Sequence, residues 1–282
     1  MRIAIFADLH GKLLLPFKLV DLYQQETGEK VDLILQCGDL GAYPNLKALD
    51  KATLKHARYD RDELGFYEDF AQEKAAIKAY LQQLDLHMIC VRGNHEDHDY
   101  LDVLEQKSGK ASRFPIDVYQ RVWVCKTGHI QTFRKGDKQL SFVGIGRIGD
   151  RKRRTAKRFI QEYERKQLAS LFQTNEHFDI LLSHDKDDMS QRGYGMPEIR
   201  HTLDQVIFHY HFYGHTGEPF QCQIDSNGIT TSCKIKELEF SEDGTLPEGC
   251  MIILHQTKKE DWELTVVPSS LTDKLTKTHW KD

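Results

Sequence analysis

Ile3-Ala4-Ile5-Phe6-Ala7-Asp8-Leu9-His10-Gly11 opens the chain, an apolar run that ends in Asp, His and Gly. The same order returns four times. Val31–Leu35 leads to Gly38-Asp39, and Leu86–Val91 to Gly93-Asn94-His95-Glu96. Phe178–Leu182 leads to Ser183-His184-Asp185, and Val206–Tyr213 to Gly214-His215-Thr216-Gly217. Short apolar runs rich in Ile, Val and Phe that stop at Gly or Asp read as buried strands. Each run therefore delivers a metal-ligand residue type to a strand end. In open α/β sheets, ligands bind beyond the carboxyl ends of the strands. A single Asp at such a place is most simply a helix cap. Five such segments in succession, all with hard-to-borderline ligand types, point to a metal-binding face. On an extended chain Asp8 and His10, two residues apart, face the same side.

Helices are expected between these runs. Leu14–Gln25 puts Leu15, Leu19, Leu22 and Tyr23 on one face, and Phe66–Leu84 carries an apolar stripe from Phe66 to Leu84. Arg158–Leu171 reads as a third helix. The stretch Gly41–Leu64 is polar with a weak helical period, and either covers the mouth of the site or decorates a crossover. Val118–Lys126, His129–Arg134 and Gln139–Ile145 read as strands. Gln221–Val267 alternates apolar and polar residues between turns at Ser226-Asn227-Gly228 and Glu242-Asp243-Gly244. The pattern gives an α/β fold, one domain over residues 1–268 and a loose polar tail over 269–282.

With 282 residues and 39% hydrophobic content, the chain can bury the core of one large α/β domain. A net charge of −4 excludes a global basic field that would draw the molecule onto nucleic acid. No stretch approaches the roughly 18 consecutive apolar residues of a membrane helix. The first residues form a strand pattern, not a secretion signal. The cysteines at 37, 90, 125, 222, 233 and 250 show no Cys-x-x-Cys spacing and read as reduced thiols of a cytoplasmic protein.

The ordered set Asp-x-His, Gly-Asp, Gly-Asn-His-Glu, a later His and a final Gly-His resembles the calcineurin-like metallophosphoesterases, from Met1 to about Val267. The resemblance implies an αββα sandwich, two mixed β-sheets flanked by helices, where periodicity alone gives only α/β. It also implies two divalent metal ions, drawn from Mn, Fe, Zn or Ni. Carried over residue by residue, Asp8, His10 and a shared Asp39 hold the first ion. Asp39, Asn94, His184 and His215 hold the second. His95 acts on the leaving group. The chemistry accounts for these types, because two cations about 3.5–4 Å apart need a bridging carboxylate and clamp the attacking and leaving oxygens of a phosphoryl transfer. Such ions also lower the pKa of bound water to near neutrality.

Many members of the family end the set with Gly-His-x-His, the last His binding the first metal. Here that position is Gly217, which leaves three protein ligands and makes His209 and His211 the candidates to substitute. The protein Ser/Thr phosphatase branch also lacks that His. In that branch an Asp three residues beyond the bridging Asp orients the catalytic His, and here the position is Ala42. Its Asp-Arg-Gly element is absent too, since the chain reads Gly38-Asp39-Leu40-Gly41-Ala42-Tyr43. The segments Gln36-Cys37-Gly38-Asp39, Phe66-Tyr67, Gly93-Asn94-His95-Glu96 and Leu182-Ser183-His184-Asp185 are similar to RNA lariat debranching enzymes. Those enzymes carry Cys at the position of Asp8 and keep the last His.

The expected function is a metal-dependent phosphodiesterase acting on a nucleotide, RNA or DNA. The alternatives are a phosphomonoesterase or protein Ser/Thr phosphatase-like enzyme, and a weakened scaffold that binds nucleic acid or a partner. Arg92, just before Gly93, has the bidentate shape that suits a phosphate, or is a strand residue at the rim. Glu96 and Asp97 are candidates to raise the pKa of His95, and His98 is a candidate to line the site. Arg151-Lys152-Arg153-Arg154 with Lys157 and Arg158 reads either as a solvated loop or as a contact to a phosphate backbone.

Overall fold

Alternation along the central strands sends neighbouring side chains to opposite faces, and a layer of core on each face of each sheet follows from it. The computed structural model describes residues 1–282 except Arg153, Asn175, Lys259, Glu260 and Asp282. The chain runs β1 (Arg2–Phe6), α1 (Leu14–Thr27) and β2 (Leu33–Gln36), then through a polar stretch holding α2 (Lys51–His56). Next come α3 (Ala75–Leu84), β3 (Met88–Cys90), α4 (His98–Lys107), β4 (Arg113–Pro115) and β5 (Val122–Cys125). The second half holds β6 (Ile130–Lys135), β7 (Lys138–Ile145), α5 (Glu162–Leu171), β8 (His177–Ser183), α6 (Pro197–Gln205) and β9 (Ile207–Tyr213). It closes with β10 (Gln221–Ile224), β11 (Thr231–Lys234), β12 (Ile252–Lys258), β13 (Asp261–Val266) and α7 (Ser269–Thr272).

Among the described residues the strands form two mixed sheets, ordered β13-β12-β1-β2-β3-β5-β4 and β10-β11-β9-β8-β7-β6. β1, β2, β3 and β5 run parallel, as do β7, β8, β9 and β11. Ala4 and Phe6 of β1, Ile34 of β2 and Met88 of β3 pack outward with Leu15, Phe17 and Leu19 of α1. The alternate residues Ile3, Ile5, Leu33, Leu35 and Ile89 pack inward against Phe142 of β7, Leu182 of β8 and Phe212 of β9. Val143, Ile145 and Leu181 face away from that inner layer and meet Leu168 of α5 and Ile199 of α6. Helix, sheet, sheet, helix is the resulting order, the αββα sandwich. The parallel strands deliver Asp8, Asp39, Asn94, His184 and His215 to one end of both sheets.

Several expectations are corrected. The helix expected over Phe66–Leu84 is two pieces, a π turn at Phe66–Phe70 and α3. The chain between them is held by Tyr119, whose hydroxyl accepts from Lys74 N at 2.8 Å. The helix expected from Arg158 starts at Glu162, because Gln161 and Glu164 form a capping box. The tail is not loose: Trp280 is buried, its ring beside Phe240, and its Nε1 donates to Asp62 Oδ2 at 2.9 Å. Cys222 and Cys233 form a disulfide across β10 and β11, where the register sets them opposite, so these two are not free thiols. Cys37, Cys90, Cys125 and Cys250 are free and buried. Among the described residues no helix is long and apolar enough to cross a membrane.

Candidate metal centre

The turns after β1 and β2 are laced together by their backbones. Asp8 N donates to Gly38 O at 3.1 Å, Leu9 N and His10 N donate to Asp39 O at 2.8 and 3.0 Å, and Gly11 N donates to Leu40 O at 2.8 Å. Asp8, His10, Asp39 and His215 all have positive φ, at 47, 44, 53 and 66°. Asp8 and His10 therefore do not alternate on an extended strand as expected. A left-handed turn beyond β1 brings them together. Non-glycine residues in such conformations cost about 1–3 kcal/mol each and persist where the surroundings hold them. Glycine is required at two close approaches: a Cβ on Gly93 would overlap Asp39, and one on Gly214 would overlap the Asp8 carboxylate.

Two ligand groups result, Asp8–His10–Asp39 and Asp39–His184–His215, with the ligand atoms of each within 4.8 Å of one another. Asp39 belongs to both. Its Oδ1 accepts from Asn94 N and His95 N at 2.6 and 2.8 Å. His184 Nδ1 donates to Cys37 O at 2.8 Å, which turns Nε2 toward Asn94 Oδ1 at 3.1 Å and Asp39 Oδ1 at 3.2 Å. A backbone carbonyl behind the ring in this way orients a metal-ligating histidine. Asp8 accepts His215 N at 3.0 Å through Oδ2.

The electrostatics test whether this set fits a cation. Burial pushes the Asp8 carboxyl up to about 7, against the pull of His184. Burial opposes charge on His184 as well, yet Asp39 and Asp8 push it up to about 10. Asp39 is held well below the ordinary carboxylate range despite its burial, by His184, His95 and His10. Burial and then His184 draw His215 down to about 3, and its Nε2 is buried without a hydrogen-bond partner. Ligation requires charged carboxylates and neutral imidazoles, so divalent cations would relieve this crowding where protons do so only in part. The residues present fit a divalent cation. Mixed imidazole, carboxylate and amide oxygen donors suit Mn, Fe or Zn.

His95 stands beside this set, its ring 5.6 Å from that of His10. Its Nδ1 lies 2.6 Å from Asp50 Oδ2, which also accepts the Tyr43 hydroxyl at 2.8 Å. Burial opposes charge on His95, but the bond to Asp50 and the field of Asp39 push it up to about 9. The acids expected to do this are used elsewhere. Glu96 accepts Leu40 N and Ala42 N at 2.9 Å and Gly93 N at 3.2 Å, and so pins the two loops together. Asp97 caps α4. Asp50 was missed by the sequence reading. Its local signal is only that of the N-cap of α2, where Oδ1 accepts Thr53 N at 2.8 Å.

Other expected residues lie outside the cluster. Arg92 is 2% exposed, and its guanidinium is committed to Asp102 at 2.7 Å and to Glu105. This corrects its expected contact with a phosphate: it ties β3 to α4. His98 is half-buried beside Arg147, 3.5 Å away. His211 is buried between Ser183 Oγ at 2.8 Å and Ser232 Oγ at 3.3 Å, and His209 lines a cavity with His177, Asp179 and Gln256. Neither joins a ligand group. The basic cluster is largely paired within the chain. Arg151 donates to the carbonyls of Met189, Gln191 and Tyr194, Arg154 pairs with Asp150 at 2.8 Å, and Lys157 pairs with Asp99 at 2.6 Å. Arg153 lies outside the described residues.

Comparison with known proteins agrees with this geometry. A stretch of 102 residues is 36% identical to the lariat debranching enzyme of Arabidopsis thaliana, covering 36% of this chain and 22% of that enzyme. The match thus spans about a fifth of that relative's length. A crystal structure from Thermus thermophilus superposes with a TM-score of 0.55 at 15% identity, over 95% of this chain and 99% of that one, and so shares the fold. The family profile of the calcineurin-like phosphoesterases matches residues 1–219. The chain belongs to the calcineurin-like phosphoesterase family.

Proposed function

We propose that the protein is a phosphodiesterase acting on nucleotide or nucleic-acid phosphodiesters with two divalent ions, Mn, Fe, Zn or Ni. The observation that carries this reading is Asp39, a carboxylate shared by two ligand groups. Asp8, His10 and Asp39 would hold one ion, and Asp39, Asn94, His184 and His215 the other. When bound, such ions supply a nucleophile from water near neutral pH and offset charge on the phosphoryl oxygens. The chain's own residues do the rest. With Nδ1 engaged by Asp50, His95 is left with Nε2 to carry a proton to the leaving oxygen. Asp50 and Tyr43 fix the ring from behind. The backbone amides of Asn94 and His95 hold the Asp39 carboxylate in place between the two ligand groups.

Charge supports a diester over a monoester. A monoester dianion is commonly clamped by guanidinium groups, which match phosphate geometry bidentately. Arg92 and Arg147 are instead buried in ion pairs with Asp102, Glu105 and Glu164. The stretch that matches a lariat debranching enzyme supports a nucleic-acid or nucleotide substrate. The test compares bis(p-nitrophenyl) phosphate with p-nitrophenyl phosphate in protein of known metal content. A kcat/KM at least about tenfold higher for the diester is expected. A preference for the monoester would contradict the reading.

A further inference from the structure

The cleft has two unlike flanks. On one side stand His10 and His95, with a small cavity lined also by Thr53, His56, Glu63 and Glu239. On the other, Tyr194 packs against His215 with ring centroids 4.9 Å apart at 64°, and His215 lies 4.7 Å from His184. The polar flank holds the proton donor. The aromatic flank holds a half-buried ring that the mechanism so far does not use.

The segment bearing Tyr194 is fastened at both levels. At its base, Asp185 Oδ1 accepts Lys186 N at 2.9 Å and Gly195 N at 2.8 Å, while Oδ2 accepts Gly149 N at 2.9 Å. Met196 N donates to Lys186 O at 2.8 Å and closes the excursion. Higher up, Arg151 Nη2 donates to the carbonyl of Met189 and to those of Gln191 at 2.8 Å and Tyr194 at 2.7 Å. One guanidinium gathers three carbonyls of the same loop and holds the Tyr194 backbone where the ring meets His215. Asp185 directly follows His184, so the base of this strap is continuous with the ligand set.

Resting on the phosphodiesterase reading, we propose that Tyr194 is the platform on which the retained half of the substrate stacks, that this half carries a planar ring such as a nucleobase, and that Arg151 is the positioning residue of that platform. The direction follows from the chemistry. In an in-line displacement the attacking and leaving oxygens take opposite sides of phosphorus. The oxygen of water bonds to phosphorus, the bond from phosphorus to the leaving alcohol breaks, and His95 gives that alcohol its proton. Water's own proton passes to solvent. The leaving alcohol therefore lies on the small polar flank beside His95, while the retained substituent is equatorial, free to turn toward the flank where Tyr194 meets His215. The product that keeps the ring is a phosphomonoester. Stacking on an aromatic side chain tolerates any base, because every base has a π face.

Two diesters with one leaving group test this: thymidine 5′-(p-nitrophenyl phosphate), whose retained half is a nucleoside, and methyl p-nitrophenyl phosphate. The parent protein is expected to prefer the nucleoside ester. Tyr194→Leu should lower that preference about tenfold, through KM more than kcat, with metal content unchanged. Tyr194→Phe should keep it, and Arg151→Ala should lose part of it. An equal loss on both esters in Tyr194→Leu, a fall in its metal content, or the same loss in Tyr194→Phe would overturn the platform. Turnover of neither ester by the parent would overturn the phosphodiesterase reading and this inference with it.

Discussion

Asp39 concentrates the chemistry of the site in one side chain. It lies in both ligand groups, is 2% exposed, and accepts two backbone amides through Oδ1. Asp39→Asn keeps the shape but removes the charge that two cations would share, so both metal content and turnover should fall, read by metal analysis and diester hydrolysis on the same sample. Full metal occupancy in that variant would refute the bridging role. His95 should separate from it. His95→Ala is expected to retain metal and lose roughly 10²–10⁴-fold in kcat, the span of general acid catalysis, with the smallest loss for acidic leaving groups. Asp50→Asn should move in the same direction by less and should likewise keep the metal, since Asp50 touches only the far nitrogen of the ring. The ligand residues were readable because their types recur in order at strand ends. Asp50 was not, because its contact with His95 spans 45 positions and its local pattern is only that of a cap. Arg92 misled for a related reason: its partners Asp102 and Glu105 lie one and two turns along α4, among other acids of equal appearance.

Among elements, the turn after β7 is held by a buried ion pair that no periodicity announces. Arg147 is 0% exposed, and its Nε lies 2.9 Å from Glu164 Oε2 on the first turn of α5. Removing one partner of such a pair leaves the other charged and dry, at about 3–5 kcal/mol. Arg147→Met should therefore shift the urea midpoint strongly, whereas a shift within error would mean the pair is dispensable. The Cys222–Cys233 bridge, with a sequence separation of 11, closes the β10–β11 hairpin. Reduction should lower stability by up to about 3 kcal/mol, the loop-closure scale. A urea melt with and without reductant measures it. The strands and α1 were legible from apolar runs and one-sided stripes. The break before α3 and the start of α5 were not, since both depend on side-chain hydrogen bonds that override a continuous pattern.

At the scale of the whole molecule, periodicity showed which segments are strands but not which sheet each one joins. β1 lies between β2 and β12, where Arg2 faces His255, a pairing from opposite ends of the chain that no local signal names. The family resemblance supplied the sandwich, and the split of alternate side chains into inner and outer layers accounts for it. The basic run stays on the surface but is tied down within the chain. Arg154 and Lys157 are neutralised by Asp150, Asp99 and Asp102, and Arg151 is held by three carbonyls. The account stands or falls on metal dependence at the shared carboxylate. The most direct measurement is metal content per chain together with hydrolysis of bis(p-nitrophenyl) phosphate, before chelation, after it, and after a divalent ion is restored. Two ions per chain, loss of turnover with loss of metal, and recovery on restoration are expected. Undiminished hydrolysis by metal-free protein would contradict the account.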